Sequence, residues 1–171
     1  FGQSGRVMSV GAQQQAGQTE SESQNASEIT VQRWFSAAGV HPYDEVSWNR
    51  RDIEQTNWRT GERIFAQSAV EFPDFWSLNA STIVTTKYFR GAMGSPVRES
   101  SLRQLIDRVV GRYVAAGLEH GYFATPEDGV VFGDELTWLL LHQAFSFNSP
   151  VWFNVGTQSP QQVSACFILS V

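Results

Sequence analysis

The sequence predicts a mixed α/β body in which helix outweighs strand, and three observations carry this. Leu102, Leu105, Ile106, Val109, Val110 and Tyr113 recur at helical spacing behind a Ser101/Gln104 capping-box pattern. Thr125-Pro126-Glu127-Asp128 opens a second helix with an N-cap, a proline at the first helical position and two carboxylates at the positive end of the dipole. The apolar, β-branched run from Val163 to Val171 reads as a strand.

Composition bounds what such a body can do. Of the 171 residues, 42% are apolar and 13% aromatic, enough for a core and unlike a wholly disordered chain. The length suits one domain, or part of a larger protein. The net charge of −5 gives no electrostatic reason to expect binding to nucleic acid or to an anionic membrane. A single cysteine allows no internal disulfide and no four-cysteine zinc or iron–sulfur site within this chain. No signal-peptide pattern and no run of about 18 apolar residues occurs, so the expectation is a soluble, cytoplasmic protein without a membrane partner.

Residues 1–28 hold six Gln, five Ser and four Gly, with Phe1 their one aromatic, and are expected to be a disordered tail. From Ile29 to about Ser68, Trp34, Trp48 and Trp58 are irregularly spaced among turn formers. We read this stretch as irregular structure with one or two short strands, anchored on a helical body by its aromatic side chains. Glu71 to Trp76 is a Pro-containing aromatic cluster leading to Asn79, a predicted N-cap, and to a helix ending before Gly91; Thr82 to Thr86 suits a strand as well. The first long helix is expected to end at Gly117 as its C-cap. The second is expected to run to about Phe147, with Leu136, Leu139, Leu140 and Ala144 inward, until Asn148-Ser149-Pro150 stops it. A polar loop then spans Gly156 to Gln162. The strand-like run at Val171 would leave an unpaired apolar edge, so a fragment of a longer polypeptide is expected.

Candidate chemistry is sparse. Cys166 lies in an apolar strand without a local His, cation or helix N-terminus to activate it, which by itself reads as a small buried hydrophobe. His41, His120 and His142 share no metal-ligand spacing. Asp44-Glu45 and Asp134-Glu135 read as solvated faces. Arg50, Arg51, Lys87, Arg90, Arg98, Arg103 and Arg108 would suit a phosphate patch if gathered, but read as scattered, solvated charges. Neither a GxGxxG nor a GxxxxGK(S/T) loop is present.

Several longer blocks go further. Val40-His41-Pro42-Tyr43-Asp44-Glu45-Val46-Ser47-Trp48, Val70 to Ser77, Thr85-Thr86-Lys87-Tyr88-Phe89-Arg90-Gly91, FSFNSPVWFNVG from Phe145 to Gly156, and QQVSACFILSV from Gln161 to Val171 closely resemble the N-terminal region of the vitamin B12-dependent, class II ribonucleotide reductases. The resemblance covers about residues 40–171. It implies a mostly helical N-terminal domain over 29–162, leading at 163–171 into the first strand of a ten-stranded α/β barrel, here truncated.

The implied activity is reduction of ribonucleoside diphosphates to 2′-deoxyribonucleotides for DNA synthesis. Adenosylcobalamin would be the cofactor, raising a thiyl radical on a cysteine farther along the full-length enzyme. The resemblance makes Cys166 one of a redox-active pair reopened by a thioredoxin-like reductant. It makes Ser149, Ala165 and Cys166 substrate-contacting residues. Neither the radical cysteine, nor the second redox cysteine, nor most cobalamin contacts would be in this chain, so it is expected to be inactive alone. A homodimer of the full-length protein is an assembly the resemblance allows. Two rivals stay open: a class I large chain, against which Tyr43, Tyr88 and Trp152 weigh, and a non-catalytic domain binding proteins through the aromatic surface from Trp34 to Trp76.

Overall fold

The computed structural model describes residues 28–161 together with Val163 and Ser164. Within them the chain is α/β, with helix outweighing strand. A 3₁₀ turn at Pro42–Asp44 precedes strands β1 (Trp48–Thr56) and β2 (Arg63–Pro73). Helices α1 (Leu78–Ile83), α2 (Leu102–Glu119), α3 (Pro126–Leu141) and α4 (Ser149–Asn154) follow, and a π turn at Val84–Tyr88 extends α1. Residues 1–27 of the expected tail, and 165–171 of the expected barrel strand, fall outside the described residues; Val163 and Ser164 are in no strand.

Where irregular structure with one or two short strands is predicted over 29–68, the chain forms two longer strands paired as the β1–β2 hairpin, antiparallel from Trp48↔Pro73 to Thr56↔Arg63. Its alternation is hidden by a register shift between Arg51 and Ile53. There Ala69 takes φ 54 and its N–H reaches the Asp52 carboxylate at 2.8 Å, a bulge that exchanges the faces of the strand partway along. Only the base of the hairpin is buried: Ile53, Val70 and Phe72 enter the core, whereas Ile64 is exposed. The tryptophans do not act as common anchors either. Trp34 and Trp58 are each 84% exposed, and only Trp48 docks, its Nε1 donating to the Tyr43 carbonyl at 2.9 Å.

The N-cap of helix α1 lies two residues before the predicted one. Ser77, not Asn79, accepts from the Ala80 N–H at 3.1 Å. In this β-branched, helical stretch Thr82 and Thr86 satisfy their hydroxyls on carbonyls one turn back, Leu78 and Thr82. In α2 the Ser101/Gln104 capping box forms as predicted, and Leu102, Leu105, Ile106, Val109 and Val110 are buried. Gly117 is not its cap. The helix continues to Glu119, and Gly121 at φ 64 closes it, with Tyr122 N–H on the Gly117 carbonyl and Gly121 N–H on Leu118, a Schellman closure. Gly117 is small because the Phe123 ring lies against it.

Helix α3 begins as predicted at Thr125 and Pro126, but ends at Leu141 rather than near Phe147. Gln143 at φ 58 makes the same closure, with its own N–H on Leu140 and that of Ala144 on Leu139, and Trp76 Nε1 donates to the Leu141 carbonyl. Leu136 and Leu140 are buried as expected, Leu139 is half-buried, and Ala144 lies past the helix and is exposed. Asn148-Ser149-Pro150 starts a helix instead of merely stopping one. The core is the space between α2, α3, α4 and the hairpin base, closed by Phe72, Phe89, Leu141 and Trp152.

The Asp134-Glu135 pair is not a solvated face. Glu135 is buried and accepts from Phe35 N–H at 2.9 Å, Ser36 N–H at 2.8 Å and the Ser36 hydroxyl at 2.6 Å; Arg33 pairs with Asp134 at 2.7 Å. Asp128 accepts from Val31 N–H at 2.8 Å. Three carboxylates of α3 thus hold the segment 31–36, aided by Phe35 stacked on Trp138 at 4.9 Å. Burial alone would raise the Glu135 carboxyl, but hydrogen bonds from Ser36, Phe35 and Trp34 outweigh it and hold it below its ordinary value. Hydrogen bonds from Thr125 and Val31 likewise hold Asp128 down. With the segment released these carboxylates take up protons more readily, so the tether is at full strength above about pH 5 and is lost progressively as pH falls below it. The protection of the Val31, Phe35 and Ser36 amides, taken relative to intrinsic exchange at each pH, should fall on acidification before that of Val109 in the core; simultaneous loss would refute separate release.

Candidate functional site

The site grows from the chain reversal after α3. Asn148 is the N-cap of α4, its Oδ1 accepting from Val151 N–H at 3.4 Å, with Pro150 in the first turn. Val151 and Trp152 are buried, which fixes the inward face of this short helix and turns Ser149 outward. The Ser149 hydroxyl lies 3.2 Å from that of Tyr88, at the end of the π turn, and either oxygen can donate. The Tyr88 ring packs against Trp152 and Phe153, with centroids at 6.2 and 5.4 Å. Beside this pair is a mostly apolar cavity of about 320 Å³, walled by Trp76, Ile83, Tyr88, Leu105, Phe145 and Trp152.

Asn148 also uses its other end. Nδ2 donates to the Val163 carbonyl at 3.2 Å, so the loop after α4 returns to the residue preceding Ser149. Gln161 braces that loop, accepting from Gly156 N–H at 2.8 Å and donating to the carbonyls of Thr157 and Ser159. The chain at Val163, two residues before Ala165, is thereby brought beside the start of α4. Ala165 and Cys166 lie outside the described residues. Ser149 is thus the predicted site residue whose surroundings are on view.

At the far end of α4 two of the basic residues read from sequence as scattered and solvated, Arg90 and Arg108, are gathered and engaged. Arg108 of α2 binds Glu99 through Nε at 2.7 Å and donates to the Val155 and Trp152 carbonyls at 2.7 and 3.2 Å. Arg90 gives its backbone N–H to Glu99 at 2.8 Å and its guanidinium to the Phe153 carbonyl through Nε and a terminal nitrogen. Arg98 donates to the carbonyls of Phe89, Gly91 and Thr85. Burial lowers the Arg90 and Arg98 guanidinium pKa values, with Glu99 acting in the opposite sense on both. Arg51 binds carbonyls of Trp76 and Pro73, and Arg103 lies over the Trp48 ring at 4.0 Å. Arg50 and Lys87 are the exposed ones. Gly156 allows the arrangement: at φ 72, a Cβ there would collide with the Arg108 backbone.

The three histidines occupy chain-reversal positions. His41 caps the 3₁₀ turn, and His120 and His142 end α2 and α3. Ser149 and Tyr88 offer hydroxyls that can bind a phosphate or a sugar hydroxyl, and the Arg–Glu cluster offers rigidity. Sequence reading missed Asn148 as a cap and Tyr88 as the partner of Ser149. The Asn-x-Pro order at 148–150 is a legible N-cap signal. No local pattern announces contacts across 61 residues, as between Tyr88 and Ser149.

Comparison with known proteins agrees with these motifs. The family model for class II vitamin B12-dependent ribonucleotide reductase matches residues 49–96 and 92–143, which together make up more than half of the chain. A protein of Streptomyces clavuligerus named vitamin B12-dependent ribonucleotide reductase is 64% identical over 143 residues, 84% of this chain and 15% of that relative. One of the same name from Rhodopirellula baltica is 44% identical over 126 residues, 73% of this chain and 12% of the relative. Another, from Bradyrhizobium diazoefficiens, is 29% identical over 161 residues, covering 75% and 13%. The chain belongs to the class II vitamin B12-dependent ribonucleotide reductase family. It spans about 15% of the length of the relatives it most resembles among these. Among the described residues no helix is long and apolar enough to cross a membrane.

Proposed function

We propose that this chain is the N-terminal part of a ribonucleoside-diphosphate reductase and contributes one wall of its substrate site. Ser149, Ala165 and Cys166 would be the contacting residues, at the entry to the first strand of a ten-stranded α/β barrel. The observation that carries the reading is the Asn148–Val163 bond, which brings the approach to Ala165 and Cys166 to the residue beside the outward-facing Ser149 hydroxyl. Ser149 would donate to or accept from a phosphate or ribose oxygen of the nucleotide, with Tyr88 orienting its hydroxyl.

Cys166 would supply one of two thiols. The substrate's 2′-C–O bond breaks, a 2′-C–H bond forms, the oxygen leaves as water, and the two thiols become one disulfide that carries off the two-electron oxidation. A thioredoxin-like dithiol would reopen that disulfide by exchange. The chain holds one cysteine, so the partner thiol belongs to another part of the full-length protein.

Cobalamin, when bound as its adenosyl form, supplies radical initiation in this reading. The described residues do not fit it: the depressions around Tyr88 and around Arg90, of about 320 and 590 Å³, are sized for small ligands, the first is mostly apolar, and the arginines of the second are turned onto carbonyls. Its contacts are assigned to other parts of the full-length enzyme. The test is turnover of cytidine diphosphate and cytidine triphosphate by the full-length protein with adenosylcobalamin and a dithiol. Diphosphate reduction is expected, with Ser149→Ala raising KM by roughly tenfold and changing kcat little. Exclusive triphosphate turnover, or an unchanged KM, would refute the corresponding part.

A further inference from the structure

Helix α4 has six residues, far short of the length at which a helix holds itself together in water. Its apolar contacts through Val151, Trp152 and Val155 choose the buried face, but being non-directional they leave the finer rotation and axial position to other contacts. Rotation matters at Ser149, because each residue of an α-helix turns about 100°, so a one-residue slip would swing its hydroxyl away from Tyr88.

Directional bonds are concentrated at the opposite end. The carbonyls of Trp152, Phe153 and Val155, which a helix end leaves without intrahelical partners, receive donors from two guanidinium groups on two different segments of the chain. Arg90 comes from the segment after α1, Arg108 from α2. Glu99 ties the two together, accepting the Arg90 backbone N–H at 2.8 Å and Arg108 Nε at 2.7 Å. The Glu99 and Arg108 side chains are each only 11% exposed, so neither can swing freely. Cations at a helix C-terminus also complement its dipole.

We propose that Arg90 and Arg108, locked by Glu99, are positioning residues that set the rotation of α4 and so present the Ser149 hydroxyl to substrate. The inference rests on the reading of Ser149 as a substrate-binding residue. Arg90 is the informative position, because it reaches α4 from outside the buried Glu99–Arg108 pair, its guanidinium carbon also lying 5.3 Å from the Phe153 ring centre.

The experiment is a mutant cycle in the full-length reductase with cytidine diphosphate, or the triphosphate if that is what the enzyme turns over. Arg90→Met keeps the stem and removes the donors, and should raise KM by roughly five- to tenfold with kcat within about twofold. Arg90→Lys restores a donor and should return KM to within about twofold of the parent. Combined with Ser149→Ala, Arg90→Met should add less than about twofold, since both act through one hydroxyl. An unchanged KM in Arg90→Met, or penalties that multiply in the double variant, overturns the positioning role while leaving Ser149 as a substrate contact. If Ser149→Ala itself leaves KM unchanged, the reading of Ser149 fails and the positioning role falls with it. Arg90→Leu, which also removes the donors, provides the same cycle if the Met variant does not fold.

Discussion

Full-length enzyme carrying Cys166→Ser is expected to lose dithiol-dependent deoxyribonucleotide formation by on the order of a thousandfold or more, which steady-state turnover would measure. The physical reason is electron count. Two thiols closing to a disulfide deliver the two electrons that replace a 2′-hydroxyl by hydrogen, and a serine hydroxyl cannot form that bond. Nucleotide binding should survive, since Ser and Cys differ little in volume and Ser149 is untouched. Loss of turnover with retained binding separates a redox role from a structural one. Retained turnover would show that Cys166 is the small buried hydrophobe its apolar surroundings in the sequence suggest.

The largest effect on stability is expected at Glu99. Glu99→Leu would leave Arg108 in its enclosed position without a counter-charge and strip the Arg90 backbone N–H of its acceptor. Removing one partner of a buried ion pair typically costs about 3–5 kcal/mol, because the remaining charge stays desolvated. A fall in the denaturant midpoint of that size measures it. Replacing Glu99 and Arg108 together by apolar residues should cost less than Glu99→Leu alone, and a loss under about 1 kcal/mol for the single variant would show that the pair is solvated. The exposed pair Arg63–Glu54, at 2.8 Å with side chains 66% and 49% exposed, is the internal contrast: Glu54→Gln should change stability by less than about 1 kcal/mol.

Legibility in this chain follows the range of the interaction. Helix starts were readable because capping is local: Ser101 with Gln104, and Thr125 with Pro126, lie within one turn of the backbone they satisfy. Helix ends were not, because their closure depends on which residue takes the left-handed conformation. Gly121 and Gln143 do so, where Gly117 and a stop near Phe147 were expected. One or two short strands were expected before Ser68, but their length and pairing were hidden by the bulge at Ala69, which breaks the two-residue period that would have announced them. Glu135 looked like a surface charge since nothing in its own helix shows that Phe35 and Ser36, about 100 residues earlier, would bring it three donors.

The family, and with it the reductase reading of Ser149, Ala165 and Cys166, was carried by the sequence alone, through blocks such as FSFNSPVWFNVG whose loop residues no packing rule dictates. The helical body was also legible there, since amphipathic spacing and caps are properties of neighbouring residues. Only the tertiary structure decided that Asn148 joins α4 to Val163, that Tyr88 meets Ser149, and that Arg90, Glu99 and Arg108 converge on one helix end. The contacts that make these joins are directional and link residues 9 to 63 positions apart. Such bonds exist only once the apolar core has fixed the distances between the elements that carry them.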